Sequence, residues 1–222
     1  MKRQVLIYGA GALGRQVYRN LAGYSGDIEV VGFVDDVKPA GTVVSDNLRT
    51  VGDLAATLKQ PAYAPDRVWL VAGIGYRDLP ARRAAYERAL SQGYRFTGFR
   101  HPQALIDASA QIDDTAVVLA GAMVDIETRV GPFCYLDLGA RVGEWSQLAA
   151  NCHLSAGAGV GGSVKVGADT FLGMDVTIIN DITIGSHVFI NACTLVHQDV
   201  PDNSRLVEAR KSRIVPIDTF EE

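Results

Sequence analysis

Residues 136–166 read LDLGARVGEWSQLAANCHLSAGAGVGGSVKV, and every sixth residue of this stretch is aliphatic: Leu136, Val142, Leu148, Leu154, Val160 and Val166. The series runs outward without a miss to Ile106 on one side and Val196 on the other, sixteen positions in all. A helix spaces apolar residues three and four apart, and an open sheet alternates them, so neither sustains a period of six. Six suits a solenoid whose short flat sides each turn one branched side chain into a shared core. Two positions before each aliphatic stands a small or β-branched residue, as in Ala104, Ala110, Ala116, Ala122, Thr128 and Cys134. One position after it glycine recurs, at Gly131, Gly143, Gly161, Gly167, Gly173 and Gly185. Small residues suit a tight corner, and glycine is expected there to supply a positive φ. The pattern is that of a hexapeptide parallel β-helix.

Three hexads make one coil, so residues eighteen apart stack along the axis. Glu144, Gly162 and Asn180 then form one column, and Tyr135, His153 and Phe171 another. Glu144 and His153, half a coil apart, fall on opposite sides of one prism and meet only across an interface between subunits. Five coils at ~4.8 Å per strand give a prism about 25 Å long, whose ends need caps.

Composition narrows the class. The chain has 222 residues and a formal net charge of -4, with a pI of about 5.6. No basic balance points to nucleic acid or an anionic membrane. The opening MKRQVLIYGAGALG imitates a signal peptide, but glycines and Arg15 interrupt its apolar run and no cleavage pattern follows. No segment reaches the ~20 apolar residues of a transmembrane helix. Cys134, Cys152 and Cys193 lack metal-ligand spacing, and the first two fill the small-residue slot, so buried reduced thiols in a cytoplasmic protein are expected. No histidine pair has the short spacing of a helical metal site, and no metal is expected.

Residues 1–100 lack the period. Gln4–Tyr8 reads as a buried strand, followed by Gly9-Ala10-Gly11-Ala12-Leu13-Gly14 and a helix from Arg15 to about Ala22. Further strands are expected over Glu29–Val34, ending in Asp35-Asp36, over Val68–Ala72, running into Gly73-Ile74-Gly75, and over Phe96–Phe99. Leu79–Leu90 has helical spacing. Alternating strands and helices predict a small parallel α/β sheet of Rossmann-like, nucleotide-binding type. A Gly-x-Gly-x-x-Gly turn between strand and helix offers unpaired N–H groups to a phosphate, and an acid at the end of the next strand suits a ribose hydroxyl. Glycine's φ and lack of a side chain are both expected to matter at Gly11. A dinucleotide oxidoreductase is disfavoured, because a β-helix and no conventional catalytic domain follows.

This pairing resembles the bacterial sugar acyltransferases of the PglD/NeuD type over nearly the whole chain. The segments that carry the likeness are Tyr8-Gly9-Ala10-Gly11, Phe33-Val34-Asp35-Asp36, His101-Pro102, Gly162-Ser163-Val164-Lys165-Val166-Gly167 and Asp199-Val200-Pro201-Asp202-Asn203. The resemblance implies a nucleotide-sugar domain over 1–100, a left-handed parallel β-helix acyltransferase domain over 101–200, and a tail or cap over 201–222. It further implies a homotrimer that binds acyl-CoA, with acetyl-CoA as co-substrate, between subunits. Carried over segment by segment, the nucleotide-sugar falls at Gly11, Ala12, Leu13, Asp35, Asp36 and Gly73. The acyl-CoA falls at His153, Gly162, Met174 and Ala192.

Two departures qualify the likeness. The family's general base is usually a histidine after a repeat glycine, but here Gly143 is followed by Glu144 and Trp145. A hydroxyl nucleophile needs proton removal as it attacks, whereas part of an aminosugar's amine is already neutral near pH 7. The family often ends in a Gly-x-Pro-Ala-Lys stretch over the CoA; Val207-Glu208-Ala209-Arg210-Lys211 stands there, with Arg210 and Lys211 as candidate phosphate donors or a solvated turn. Glu144 and His153 are the candidate catalytic residues. His101 is expected to be structural, His187 to face outward, His197 to serve a corner, and Trp145 to lie at the surface or a subunit contact. The expected activity is acyl-CoA-dependent N-acylation of a nucleotide-linked aminosugar for surface glycans. The alternatives are a non-catalytic sugar-nucleotide-binding trimer and a sialic-acid-type O-acetyltransferase.

Overall fold

A computed structural model describes residues 2–207, so Arg210 and Lys211 lie outside the described residues. From Phe99 to Leu206 the chain winds into three parallel sheets, one per face of a prism. The first face is built from Leu105–Ile106, Met123–Val124, Arg141–Val142, Gly159–Val160, Thr177–Ile178 and Leu195–Val196. The second holds Gln111–Ile112, Arg129–Val130, Gln147–Leu148, Lys165–Val166 and Thr183–Ile184. The third holds Phe99–Arg100, Val117–Val118, Tyr135–Leu136, His153–Leu154, Phe171–Leu172, Phe189–Ile190 and Arg205–Leu206. Partners stand eighteen residues apart, as in Tyr135 opposite His153 and His153 opposite Phe171.

The aliphatic row explains the winding. From Val118 to Val196 each member is at most 4 % exposed, and together they form one continuous core. The small slot beside it is also buried, and its polar members are bonded. Thr128 Oγ1 donates to Gly143 O at 2.8 Å, Ser146 Oγ to Gly161 O at 2.7 Å and Thr170 Oγ1 to Gly185 O at 2.9 Å. Cys152 Sγ does the same to Gly167 O at 3.2 Å. A hydroxyl or thiol there satisfies a corner carbonyl of the next coil that would otherwise be buried unpaired.

The corners differ from expectation. Gly131, Gly143, Gly167 and Gly173 do not occupy the left-handed region. They are required for space: a Cβ on Gly143 would stand 2.7 Å from Gly161 C of the next coil, and one on Gly173 2.5 Å from Ala192 N. The positive φ falls two residues later, on Phe133, Trp145, Asn151, Ser163, Asp169, Asp175, Asp181, His187 and Cys193, at values from 53° to 62°. Asp and Asn suit that slot, because their short polar side chains tolerate it.

The first hundred residues form an α/β unit. Strands β1 (Arg3–Tyr8), β2 (Ile28–Val34), β3 (Val43–Ser45), β4 (Leu48–Gly52) and β5 (Trp69–Ala72) lie in the order β3-β4-β2-β1-β5. All pair in parallel except the hairpin β3–β4. Helix α1 (Ala12–Tyr24) follows the glycine turn and buries Gly14, Val17 and Leu21. Helices α2 (Leu54–Leu58) and α3 (Leu79–Ser91) are N-capped by Asp53, which accepts from Ala56 N at 2.7 Å, and Asp78, which accepts from Ala81 N at 2.9 Å. The expected strand Phe96–Phe99 divides between the two parts. Phe96 bridges to Leu70, and Phe99–Arg100 pairs instead with Val117–Val118 of the prism. Its residues alternate between two sheets because the chain passes from one to the other there.

The α/β unit lies on the third face, for a reason written in that face's outer row. Val117, Tyr135, His153 and Phe171 are all buried there, whereas the second face turns out Gln111, Arg129, Gln147, Lys165 and Thr183. Phe133 packs against Tyr86 and Phe96, each with ring centroids 5.1 Å apart. Gln16 of α1 donates to Asp137 Oδ1 at 2.9 Å. Among the described residues no helix is long and apolar enough to cross a membrane.

Candidate active site

The carboxyl ends of β1, β2 and β5 meet at the glycine turn. Gly9 has φ 117°, and a Cβ there would come within 2.5 Å of Gly73 C. A Cβ on Gly14 would overlap Gly9 O outright. These glycines let strand, turn and helix close on one another. Gly11 does not: its φ is -83° and nothing lies within 4 Å of its would-be Cβ. The expectation that its φ demands glycine is therefore corrected; extended backbone at the N-cap suits any residue. Gly11 and Ala12 are exposed and Leu13 half-buried, whereas Gly73 is buried and packs against Ile7 and Gly14. No side chain caps α1 and its first turn holds no acid, so its N-terminal N–H groups are open to an anion.

Asp35 and Asp36 stand at this edge, with their carboxylates already engaged. Asp35 accepts from Ala10 N at 2.7 Å, Val37 N at 3.0 Å and Lys38 N at 2.8 Å, and so ties the glycine turn to the end of β2. The Lys38 ammonium donates to Ala10 O across the same turn. Asp36 accepts from Tyr8 Oη and from Arg88 Nη2, both at 2.6 Å, and from Leu54 N at 3.2 Å. Burial, and then Asp36, push the Tyr8 phenol up, so it stays a donor. Both acids shape the crevice at least as much as they line it.

Below the crevice runs the third face's outer row. The rings of Tyr135 and His153 lie 5.0 Å apart at 3°, and His153 and Phe171 5.4 Å apart at 18°. Tyr76, just after Gly73-Ile74-Gly75, lies across this row, 4.7 Å from His153 and 4.6 Å from Phe171. His153 is 1 % exposed. Burial, helped by the Arg82 charge, holds its imidazole well below the usual histidine range, so it is neutral near pH 7. His153 Nδ1 and Tyr135 Oη are both buried without a hydrogen-bond partner among the described residues. His153 was expected at a contact between subunits; it lies instead between the two parts of one chain, because the outer row there is aromatic and draws the α/β unit over it.

The other candidates fall at two edges of the prism. Glu144 lies in the corner between the first and second faces, half-buried, with its carboxylate over Gly162 and no hydrogen bond or ion pair among the described residues. Asn180 continues the column, accepting from Gly162 N at 3.0 Å. Trp145 beside it is 52 % exposed. Met174 and Ala192 are exposed at the corner between the third and first faces. One chain thus brings together Gly11, Ala12, Leu13, Asp35, Asp36 and Gly73, but separates Glu144 and Gly162 from Met174 and Ala192, and both groups from His153.

His101 is buried and structural: its Nδ1 accepts from Gln103 N at 3.0 Å, and Tyr24 packs edge-on at 4.1 Å. His187 is exposed, as expected, and its Nε2 nevertheless reaches the buried Asp169 at 3.0 Å. Tyr76, Arg82, Asn151 and Asp169 escaped sequence reasoning. Asn151, Asp169 and His187 do carry a signal, since they stand eighteen apart in one positive-φ column. Among the described residues no three His, Cys, Asp or Glu side chains gather as a metal site.

Residues 163–198 match the family profile of bacterial transferase hexapeptide repeats. Over about nine-tenths of its length the chain is similar to solved structures, a sugar N-acetyltransferase among them, and its parallel sheets and hexads fit the left-handed β-helix type. One is a perosamine N-acetyltransferase from Caulobacter crescentus, a point mutant in complex with CoA and GDP-perosamine, with 28% identity and TM-score 0.82 over 91% of this chain and 92% of that one. Another is the acetyltransferase domain of PglB from Neisseria gonorrhoeae FA1090 in complex with acetyl coenzyme A, with 24% identity and TM-score 0.79 over 92% and 96%. WeeI from Acinetobacter baumannii AYE shares the fold at 16% identity and TM-score 0.79 over 92% and 97%.

Proposed function

We propose that this protein is an acyl-CoA-dependent N-acyltransferase, with acetyl-CoA as donor and the amine of a nucleotide-linked aminosugar as acceptor, acting in the cytoplasm in surface-glycan synthesis. The observation that carries it is the union, in one chain, of an uncapped glycine-turn helix and a hexapeptide prism. That union matches the CoA- and GDP-perosamine-bound enzyme over nine-tenths of both chains.

Residues 1–100 act as a Rossmann-like nucleotide-sugar domain and 101–200 as the acyltransferase domain; most of the tail expected over 201–222 lies outside the described residues. The diphosphate sits at the N-terminus of α1 over Gly11, Ala12 and Leu13, with Asp35, Asp36 and Gly73 shaping the pocket. The acyl-CoA runs along a groove between subunits, near Gly162, Met174 and Ala192, with His153 set apart from it under Tyr76. A homotrimer is supported by where the prism exposes apolar side chains. Leu105, Met123, Ile126, Leu138, Trp145, Met174, Ile179 and Leu195 all lie on the first face or its two corners. A closed ring also brings Glu144 of one subunit toward the opposite edge of the next.

In the transfer, the neutral amine attacks the thioester carbonyl; the C–N bond forms, the C–S bond breaks, and the amine's proton leaves to the thiolate. Backbone N–H groups stabilise the tetrahedral oxyanion. Glu144 either takes this proton late and passes it on to the thiolate, or holds the ammonium form of the substrate before it deprotonates. A second reading, a sugar-nucleotide-binding trimer without turnover, is favoured by one observation: a carboxylate stands where the family's imidazole is expected. O-acetylation is less supported, because a hydroxyl needs a base from the start. Thiol release from acetyl-CoA, assayed with UDP-, GDP- and dTDP-linked aminosugars, decides. Release with one of them is expected; binding without release establishes the second reading.

A further inference from the structure

The densest polar network outside the glycine turn joins α3 to the corner between the second and third faces. Arg82 is buried and forks onto Asn151, with Nε donating to Oδ1 at 2.7 Å and Nη2 to the main-chain O at 2.9 Å. Asn151 Nδ2 donates to Leu79 O and to Asp169 Oδ1, both at 2.7 Å. The Asp169 side chain is fully buried and is closed by Arg83 Nη2 at 2.9 Å and His187 Nε2 at 3.0 Å. Burying a guanidinium and a carboxylate is costly, and apolar side chains would hold α3 down at less cost. Directional bonds add register.

Register matters here because the third face repeats itself. Tyr135, His153, Phe171 and Phe189 are successive rungs of one aromatic row. Stacking alone would let Tyr76 lie one rung up or down at similar energy. The hydrogen-bonded corner breaks that degeneracy, since Asn151 and Asp169 each occur on one rung only.

We infer that Arg82, Asn151 and Asp169 are positioning residues, which fix α3 in one axial register so that Tyr76 covers His153. The groups facing His153 are Tyr76 from the loop, Tyr135 and Phe171 from its own face, and Arg82 from α3. The proton affinity of the His153 imidazole therefore reports the register.

The experiment is NMR titration of the four histidines in the full chain, with His153 assigned through His153→Gln. Asn151→Gly keeps the left-handed φ of 62° and changes no charge. It should raise the proton affinity of His153 at least tenfold, as should Tyr76→Ala, and the double variant should add nothing further. Asp169→Asn is a test of sign: losing a negative charge should weaken protonation, whereas loss of register should strengthen it. If Asn151→Gly does not fold, the near-isosteric Asp169→Asn decides alone. The inference is overturned if the folded variants leave His153 titrating as in the parent chain, or if Tyr76→Ala moves nothing. The titration needs neither sugar nor acyl donor, so its failure is distinct from failure of acyl transfer.

Discussion

Glu144 and His153, the two candidate catalytic residues, sit in opposite environments. Glu144 is half-buried without a side-chain partner among the described residues, so it can reach a ligand, whereas His153 is sealed under Tyr76. A true general base contributes roughly 10²–10⁴-fold in rate. Because an amine attacks as its free base, Glu144→Gln should lower kcat by less than about tenfold, and the rate should still rise with pH as the substrate amine deprotonates. A thousandfold fall with both substrates still bound would make Glu144 the base. His153 also predicts a slope in stability. Its folded form is held neutral by burial and then by Arg82, while the unfolded chain takes up a proton below about 6.5. Stability should therefore fall as pH drops below that value, and His153→Gln should flatten the slope in urea titrations from pH 7 to 5.

Among the elements, the glycine turn separates two roles that look alike in sequence. Gly14→Ala drives a methyl into Gly9 O and should cost about 1–3 kcal/mol or more, measured by denaturant unfolding. Gly11→Ala meets nothing and should stay within about 0.5 kcal/mol of the parent. Gly11→Val should fold as well, yet abolish nucleotide-sugar binding in calorimetry, because it fills the space over the start of α1. Unchanged affinity in the folded variant would remove the ligand from that turn. In the prism, Leu154→Ala takes a fully buried side chain from the middle coil and should cost about 2–5 kcal/mol.

At the scale of the whole molecule, the apolar side chains that the prism exposes are gathered on its first face and the two corners beside it. Sedimentation should give three times the 23.8 kDa chain mass. Placing charges there, as in the double variant Met123→Glu and Leu195→Glu, should shift the protein toward monomer and abolish any activity that needs two subunits. A parent protein that sediments as a monomer would remove both the trimer and the shared groove. A trimer that survives the double variant would move the contact to another face.

Much of this protein is local and periodic, and that part was legible in its sequence. The hexad, the eighteen-residue columns and the opposition of Glu144 to His153 follow from a repeat whose geometry is set within each coil. The glycine turn was legible too, as strand, turn and helix in succession. What escaped depends on contacts between distant segments. No local signal says that Gly143 is small because Gly161 approaches it, while Trp145 two residues later takes the positive φ. Nor does Asp35 announce that its carboxylate is spent on Ala10, Val37 and Lys38. The outer row of the third face was visible as a column of aromatics, but not what would cover it. Only the packing of the α/β unit turned His153 from a surface residue into a neutral, buried one. Contacts made on single rungs, the Arg82–Asn151–Asp169 corner and Phe133 against Tyr86 and Phe96 among them, hold the α/β unit where Tyr76 meets His153, because a repeating row carries no register of its own.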